Sequence, residues 1–140
     1  MMKVLAPTLL LCCLAFPGKA GGQNYIGLHK EQVRDTMRTD RQDLFEDPAA
    51  RNTVYNMVKY IDNMGIQTLY YYFSKEDTCL YSKWICDYSM LNKVIADLNE
   101  KYEQSAEESW MYTDDGKRYL ITLTTGEWFF TITTKPDKRE

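Results

Sequence analysis

The pattern of apolar and polar positions along the chain predicts two amphipathic helices, each followed by a series of strands. In "IGLHKEQVRDTMRTD", Val33 and Met37 lie four residues apart, which predicts a short helix at about residues 28–38. Behind the candidate N-cap Ser89, apolar residues recur at helical spacing and predict a longer helix at about residues 89–106. The apolar stripe of this second helix consists of Met90, Leu91, Val94, Ile95, Leu98 and Tyr102.

Strand-like runs, rich in β-branched and aromatic residues, follow each helix. They comprise residues 54–62, 66–73 and 78–86 in the first half, and "SWMYT", "RYLITLT" and "EWFFTITT" in the second. The dipeptides Asp115-Gly116 and Thr125-Gly126 favour tight hairpin turns between the last three runs. The predicted fold is therefore α+β, with two helices packed on an antiparallel β-meander sheet in the order αβββ-αβββ.

The first residues have the features of a secretory signal peptide. Lys3 precedes an apolar run from Val4 to Phe16, and Ala20 provides a small residue for cleavage. We therefore predict a signal peptide at residues 1–20, a single α+β domain at residues 21–134 and a charged tail at residues 135–140. The protein is expected to be exported, periplasmic or secreted. It should have no integral membrane segment after cleavage, because a membrane span needs about 20 consecutive apolar residues and no later part of the sequence approaches that length.

Two cysteines inside this apolar run, Cys12 and Cys13, leave a lipid-anchored form as an alternative. Lipoprotein processing favours a small residue before the modified cysteine, whereas Leu11 precedes Cys12. We therefore expect both cysteines to be removed with the signal.

Composition argues against several classes of function. The chain has 17 basic and 20 acidic residues, a net charge of −3 and no basic cluster, so a nucleic acid partner is not expected. Its only histidine, His29, lies beside a predicted helix start, where a surface position is expected. Because histidine and cysteine do not cluster at ligand spacing, the sequence predicts no metal site and no cofactor.

Pairs of adjacent carboxylates raise the question of a hydrolase, which would need two carboxyl groups converging in a cleft. The pairs are Glu76-Asp77, Glu107-Glu108 and Asp114-Asp115. Each pair lies in a predicted turn or at a helix end, where acidic side chains are solvated and bind backbone N–H groups. No nucleophile motif accompanies them, and we expect a protein that is not an enzyme.

Cys79 and Cys86 leave two arrangements open. In one continuous strand they lie about 23 Å apart, at ~3.3 Å per residue, and remain free thiols on opposite faces. If the chain instead folds back at Ser82-Lys83, the two cysteines meet and form a cross-strand disulfide, which export to an oxidising compartment favours.

The start of the first helix, together with the helix and meander order that follows, resembles a group of small exported bacterial domains. These are the SmpA/OmlA family and the related β-lactamase-inhibitor-like and PepSY-like folds, and the matching positions are Gly27, Lys30, Glu31 and Val33. The resemblance implies an α+β domain that binds or scaffolds, and no catalytic residues are carried over from these families. The sequence departs from the family pattern in lacking the glycine-proline that commonly ends such a first helix.

Aromatic residues support the leading functional hypothesis. If both helices cover one face of the sheet, aromatic side chains on the other face stay partly exposed and form an interaction surface. The candidate binding residues are Tyr70, Tyr72, Trp84 and Trp128. We therefore expect a non-enzymatic domain that binds a protein or cell-envelope partner. The alternative is a small-ligand or carbohydrate-binding module, with aromatics lining a concave pocket.

Overall fold

The computed structural model describes residues 24–50 and 54–138. Helix α1 (Lys30–Asp40) is followed by strands β1 (Phe45–Glu46), β2 (Met57–Ile61), β3 (Gln67–Phe73) and β4 (Cys79–Asp87). A short 3-10 helix, Tyr88–Met90, leads into α2 (Leu91–Lys101), which is followed by β5 (Glu103–Ala106), β6 (Ser109–Asp114), β7 (Lys117–Thr125) and β8 (Phe129–Pro136). The predicted signal peptide, with Cys12 and Cys13, lies outside the described residues.

The eight strands form one antiparallel sheet in the order β1-β2-β3-β4-β8-β7-β6-β5. Each half of the chain contributes one α-helix followed by four strands, and the halves join where β4 pairs with β8. The predicted α+β class and antiparallel sheet are confirmed. The predicted order αβββ-αβββ is wrong in the number of strands, because each half has four strands and not three.

The two strands that the sequence pattern missed, β1 and β5, lie at the edges of the sheet. Every residue of both strands is exposed, so neither shows the alternation of apolar and polar residues that marks a half-buried strand. Strand β5 occupies the end of the predicted second helix. The helix ends at Lys101, since Tyr102 adopts an extended conformation with φ −128° and ψ 158°.

His29 is exposed and forms the N-cap of α1. Its Nδ1 accepts a hydrogen bond from the backbone N–H of Glu31 at 3.2 Å, and its own backbone N–H donates to Gln32 Oε1 at 2.9 Å. This reciprocal pair is a capping box, which gives partners to N–H groups at the helix start. Ser89, by contrast, is not the N-cap of α2. It lies in the 3-10 helix, and its backbone N–H donates to the side chain of Asp87 at 2.8 Å.

Both helices pack against the same face of the sheet, which we call the helix face. The hydroxyl of Tyr71 donates to Met37 Sδ of α1 at 3.8 Å, and Trp110 Nε1 donates to Asn99 Oδ1 of α2 at 2.8 Å. Strand pairing places Tyr71 and Trp110 in one row that crosses six strands. The row consists of Val58, Tyr71, Ser82, Thr134, Ile121 and Trp110, all of them buried. One face of the sheet is therefore the core of the protein.

The C-terminal strand extends into the predicted charged tail. The pairing of β7 with β8 continues to Tyr119 and Pro136. Beyond it, the buried Asp137 accepts a hydrogen bond from Arg118 Nη2 at 3.2 Å and donates its backbone N–H to the carbonyl of Arg118 at 2.9 Å. Residues 135–137 are therefore tied to the sheet, and the prediction that the tail begins at residue 135 is wrong.

Candidate functional site

The opposite face of the sheet, which we call the open face, is not covered by either helix in the described part of the chain. Side chains alternate along a strand, so the residues next to the buried row point to this open face. Its middle row crosses the same six strands and consists of Lys59, Tyr70, Lys83, Thr133, Thr122 and Ser109. None of these six residues is buried, whereas every residue of the adjacent helix-face row is.

Three tyrosines form a continuous stack on the first half of the open face, and we call them the tyrosine ladder. Tyr72 and Tyr81 are a cross-strand pair with ring centroids 4.6 Å apart and an interplanar angle of 15°. Tyr70 stacks on Tyr72 at 6.1 Å, and Lys59 Nζ lies 5.9 Å from the ring centroid of Tyr70. Partial burial and the neighbouring tyrosines raise the pKa of Tyr72 above the ordinary value of a phenol, so the side chain is neutral near pH ~7. The ladder therefore offers apolar ring surface together with hydroxyl groups.

A β-bulge in β4 shapes the surface beside the ladder. Tyr72 pairs with Tyr81 while Phe73 pairs with Cys79, so Leu80 is an extra residue with no counterpart on β3. Leu80 and Tyr81 consequently lie together on the open face, where they line a mainly apolar depression of about 610 Å³. The lining also includes Leu120, Lys135 and Pro136.

Of the four predicted binding residues, Tyr70 and Tyr72 lie in the ladder, whereas Trp84 does not reach the open face. Trp84 pairs with the core residue Leu69 and is only 4% exposed. Its Nε1 donates to Gln67 Oε1 at 2.9 Å, so its polar atom already has a partner inside the protein. The prediction of Trp84 as a surface binding residue is therefore wrong.

Trp128 lies in the turn between β7 and β8 and is 71% exposed. The next residue, Phe129, pairs with Asp87 and shares the open face with Thr131 two positions later. The hydroxyl of Tyr88 donates to the carbonyl of Gly126 at 2.5 Å and so anchors this turn. Phe129 therefore extends the open face at one end of the sheet, and Trp128 lies exposed in the turn next to it.

Sequence reasoning missed Leu80, Tyr81, Lys83 and Lys135. The alternation within β4 carried the signal for two of them, because Tyr81 and Lys83 alternate with Trp84 and so point to the opposite face. Without the pairing of Tyr72 with Tyr81, that alternation could not be related to the tyrosines of β3. The bulge at Leu80 is set by tertiary pairing and has no glycine or proline to mark it.

Cys79 and Cys86 are both free thiols in one continuous strand, so the arrangement with a fold-back and a disulfide is not found. Both thiols are buried, and the bulge at Leu80 brings them to the same helix face rather than to opposite faces. Burial raises the pKa of each thiol to about 12. Because the thiolate is the reactive form, these cysteines are inert near neutral pH.

The acidic pairs have structural roles in turns. Asp77 has a positive φ of 66° and accepts a hydrogen bond from Asn56 Nδ2 at 2.7 Å, which lowers its pKa. Asp115 and Gly116 both have positive φ and form the tight turn between β6 and β7 that was predicted. Within residues 24–50 and 54–138, no group of three or more histidine, cysteine or acidic residues is placed to hold a metal ion.

A second cavity, of about 500 Å³, lies between α1 and the start of β2. Its cationic side chains are already paired with carboxylates of the same protein. The pairs are Lys30 with Asp77 at 3.5 Å, Arg34 with Glu46 at 3.0 Å and Lys59 with Asp47 at 3.7 Å. Because its cationic side chains are already paired with carboxylates, this cavity is less suited to binding a charged ligand than the open face is.

Comparison of the chain with family models, curated proteins and solved structures finds no significant match. Neither α1 nor α2, the α-helices of the described residues, has the length and apolar character that crossing a bilayer requires.

Proposed function

We propose that the protein is a non-enzymatic, exported domain that binds a protein or cell-envelope partner through the open face of its sheet. The observation that supports this function is the tyrosine ladder on a sheet face that neither helix covers. Large apolar surfaces left in solvent by a small domain usually serve as interaction sites. Tyrosine also suits such surfaces, since its ring packs while its hydroxyl hydrogen-bonds.

Phe129, with Trp128 in the adjoining turn, adds an aromatic anchor at the end of the same surface. Their exposed fractions are 49% and 71%, respectively. Exposed aromatic side chains that enter a partner's pocket dominate the binding energy of many interfaces. The proposed interface therefore runs from the ladder on β3 and β4 to the turn between β7 and β8.

A small-ligand or carbohydrate-binding module is the second candidate, and the depression beside Leu80 has a suitable volume for it. Carbohydrate modules present aromatic rings to the sugar inside a concave site. Trp84 and Trp110 are buried on the helix face, and Trp128 does not line the depression. The placement of the tryptophans therefore favours an extended protein interface.

The test is affinity capture from the native envelope fraction with matched variants. Tyr72→Glu introduces a charge in the ladder, and Asn92→Glu introduces the same charge on the exposed side of α2. We expect the wild type and Asn92→Glu to retain the same protein and Tyr72→Glu to lose it while remaining folded by circular dichroism. Equal capture by all three proteins would rule out the open face as the binding surface.

A further inference from the structure

We propose that the partner presents an acidic surface to the open face, and that Lys83 and Lys135 are the residues that select it. This inference rests on the proposed function and specifies the chemistry of the partner. It follows from how charge is distributed between the two faces of a protein that is acidic as a whole, with 20 acidic and 17 basic residues.

The open face is basic although the chain is acidic. The open-face positions of the six inner strands include four cationic residues, Lys59, Lys83, Arg118 and Lys135. They include one carboxylate, Asp87, which lies at the end of β4 and accepts the backbone N–H of Ser89. The edge strand β5 adds one more carboxylate, Glu103, which pairs with the open-face residue Met111. The positive charge that matters for binding is therefore that of the lysines on β4 and β8, next to the tyrosine ladder.

Two of the four cations are compensated within the protein. Arg118 bonds to Asp137 at 3.2 Å, and Lys59 lies 3.7 Å from Asp47 and over the ring of Tyr70. Lys83 and Lys135 have no carboxylate partner among the described residues, and both are exposed. They lie on neighbouring strands, with Lys83 opposite Thr133 and Lys135 two positions further along β8.

Lys83 and Lys135 are diagonal neighbours, which places their Cβ atoms roughly 7–8 Å apart. Their ammonium groups share one patch of the open face, where carboxylates of a partner would compensate both charges. Lys83 lies beside Tyr70, and Lys135 lines the apolar depression with Leu80 and Leu120. The two lysines therefore lie next to a surface that can bury apolar side chains of a partner. Such a surface suits a folded protein better than a polyanion that has no apolar side chains.

A second copy of this chain is a poor occupant of the open face. A symmetric pairing of two open faces would bring Lys83 and Lys135 of both copies into one interface, and like charges placed together disfavour association. An anionic lipid surface would compensate the lysines and accept hydrogen bonds from the phenols, but it has no protruding side chain shaped to fill the depression beside Leu80. An acidic protein surface satisfies the cations, the hydroxyls and the apolar depression together.

Carbodiimide cross-linking tests this chemistry, because it joins a lysine to a carboxylate only when the two are in contact. In the native envelope fraction, we expect cross-linked peptides that join Lys83 or Lys135 to an Asp or Glu of one partner protein. Lys83→Gln/Lys135→Gln should lose these products, whereas the matched variant Lys75→Gln/Lys93→Gln, with exposed lysines outside the open face, should keep them. At low ionic strength the first double variant should associate about tenfold more slowly, with little difference in high salt.

A benzophenone amino acid at position 70 separates the failure of this inference from the failure of the proposed function. Photo-capture of a protein without carbodiimide products at Lys83 or Lys135 would overturn the acidic partner and leave binding through the open face intact. No capture by either chemistry would overturn both. Binding to phosphatidylglycerol vesicles that depends on Lys83 and Lys135, without a cross-linked protein, would assign the face to membranes and overturn the proposal.

Discussion

Tyr72 of β3 stacks on Tyr81 of β4 with 4.6 Å between their ring centroids, on the face of the sheet that neither helix covers. The bulge at Leu80 shifts the pairing between Phe73 and Tyr72, so that Cys79 stays in the core while Tyr81 joins the ladder. A single extra residue in β4 thus permits this strand to contribute a buried thiol to the core and a half-buried ring to the tyrosine ladder. The surface chemistry of the protein depends on this arrangement.

The stacking of Tyr72 on Tyr81 should be measurable as a coupling energy. In a double-mutant cycle with Tyr72→Ala and Tyr81→Ala, we expect the free energies of unfolding to be non-additive by about 0.5–1.5 kcal/mol. Urea unfolding followed by circular dichroism measures the four proteins of the cycle. Additive effects would mean that the two rings do not interact in solution.

Truncation of the buried Trp84 and of the exposed Trp128 should affect stability to very different extents. Trp84→Ala removes a core side chain and a hydrogen bond to Gln67, and we expect it to lower the free energy of unfolding by about 3–5 kcal/mol. Trp128→Ala removes a solvent-exposed side chain and should change stability by no more than about 0.5 kcal/mol. Thermal or urea unfolding checks both, and comparable losses would show that Trp128 is packed in solution.

The difference between Trp84 and Trp128 shows what the sequence could and could not predict. Alternating apolar residues identified the six inner strands, because each of these strands has one face in the core. The strands β1 and β5 were not predicted, because every residue in them is exposed and the sequence shows no alternation of apolar and polar residues there. The alternation along β3 also predicted that Tyr70 and Tyr72 share one face of the sheet and that Tyr71 lies on the other. Which of these faces meets the helices depends on long-range packing. The strand register that places Trp84 beside Leu69 depends on it as well.

Alkaline pH should destabilise the protein. Burial raises the pKa of Cys79, Cys86 and Tyr60 to about 12 in the folded state. In the unfolded chain, thiols lose their protons near pH ~8.5 and phenols near pH ~10. The unfolded chain therefore binds fewer protons than the folded protein above these values, and the free energy of unfolding falls as the pH rises from about 9 towards 12.

Urea unfolding at a series of pH values measures this dependence. Cys79→Ala/Cys86→Ala removes both thiols, so its free energy of unfolding should fall less steeply than that of the wild type between about pH 8.5 and 10. A wild-type stability that stays constant up to about pH 11 would show that the thiols and phenols are not buried as described.

The N-cap of α1 predicts an effect of His29 that is independent of any binding. His29→Ala removes the acceptor for the backbone N–H of Glu31, and we expect a loss of about 0.5–1 kcal/mol in the free energy of unfolding. His29→Asp supplies a carboxylate acceptor at the same position and should restore most of that stability. If alanine and aspartate have the same effect, the side chain of residue 29 does not cap the helix.

The decisive measurement for binding through the open face is hydroxyl-radical footprinting of the purified complex with the captured partner. We predict that Tyr70, Tyr72 and Tyr81 become protected from oxidation in the complex, while the partly exposed Leu91 of α2 is oxidised as in the free protein. Protection of Leu91 and its neighbours with an unprotected tyrosine ladder would place the partner on the helices and refute binding through the open face.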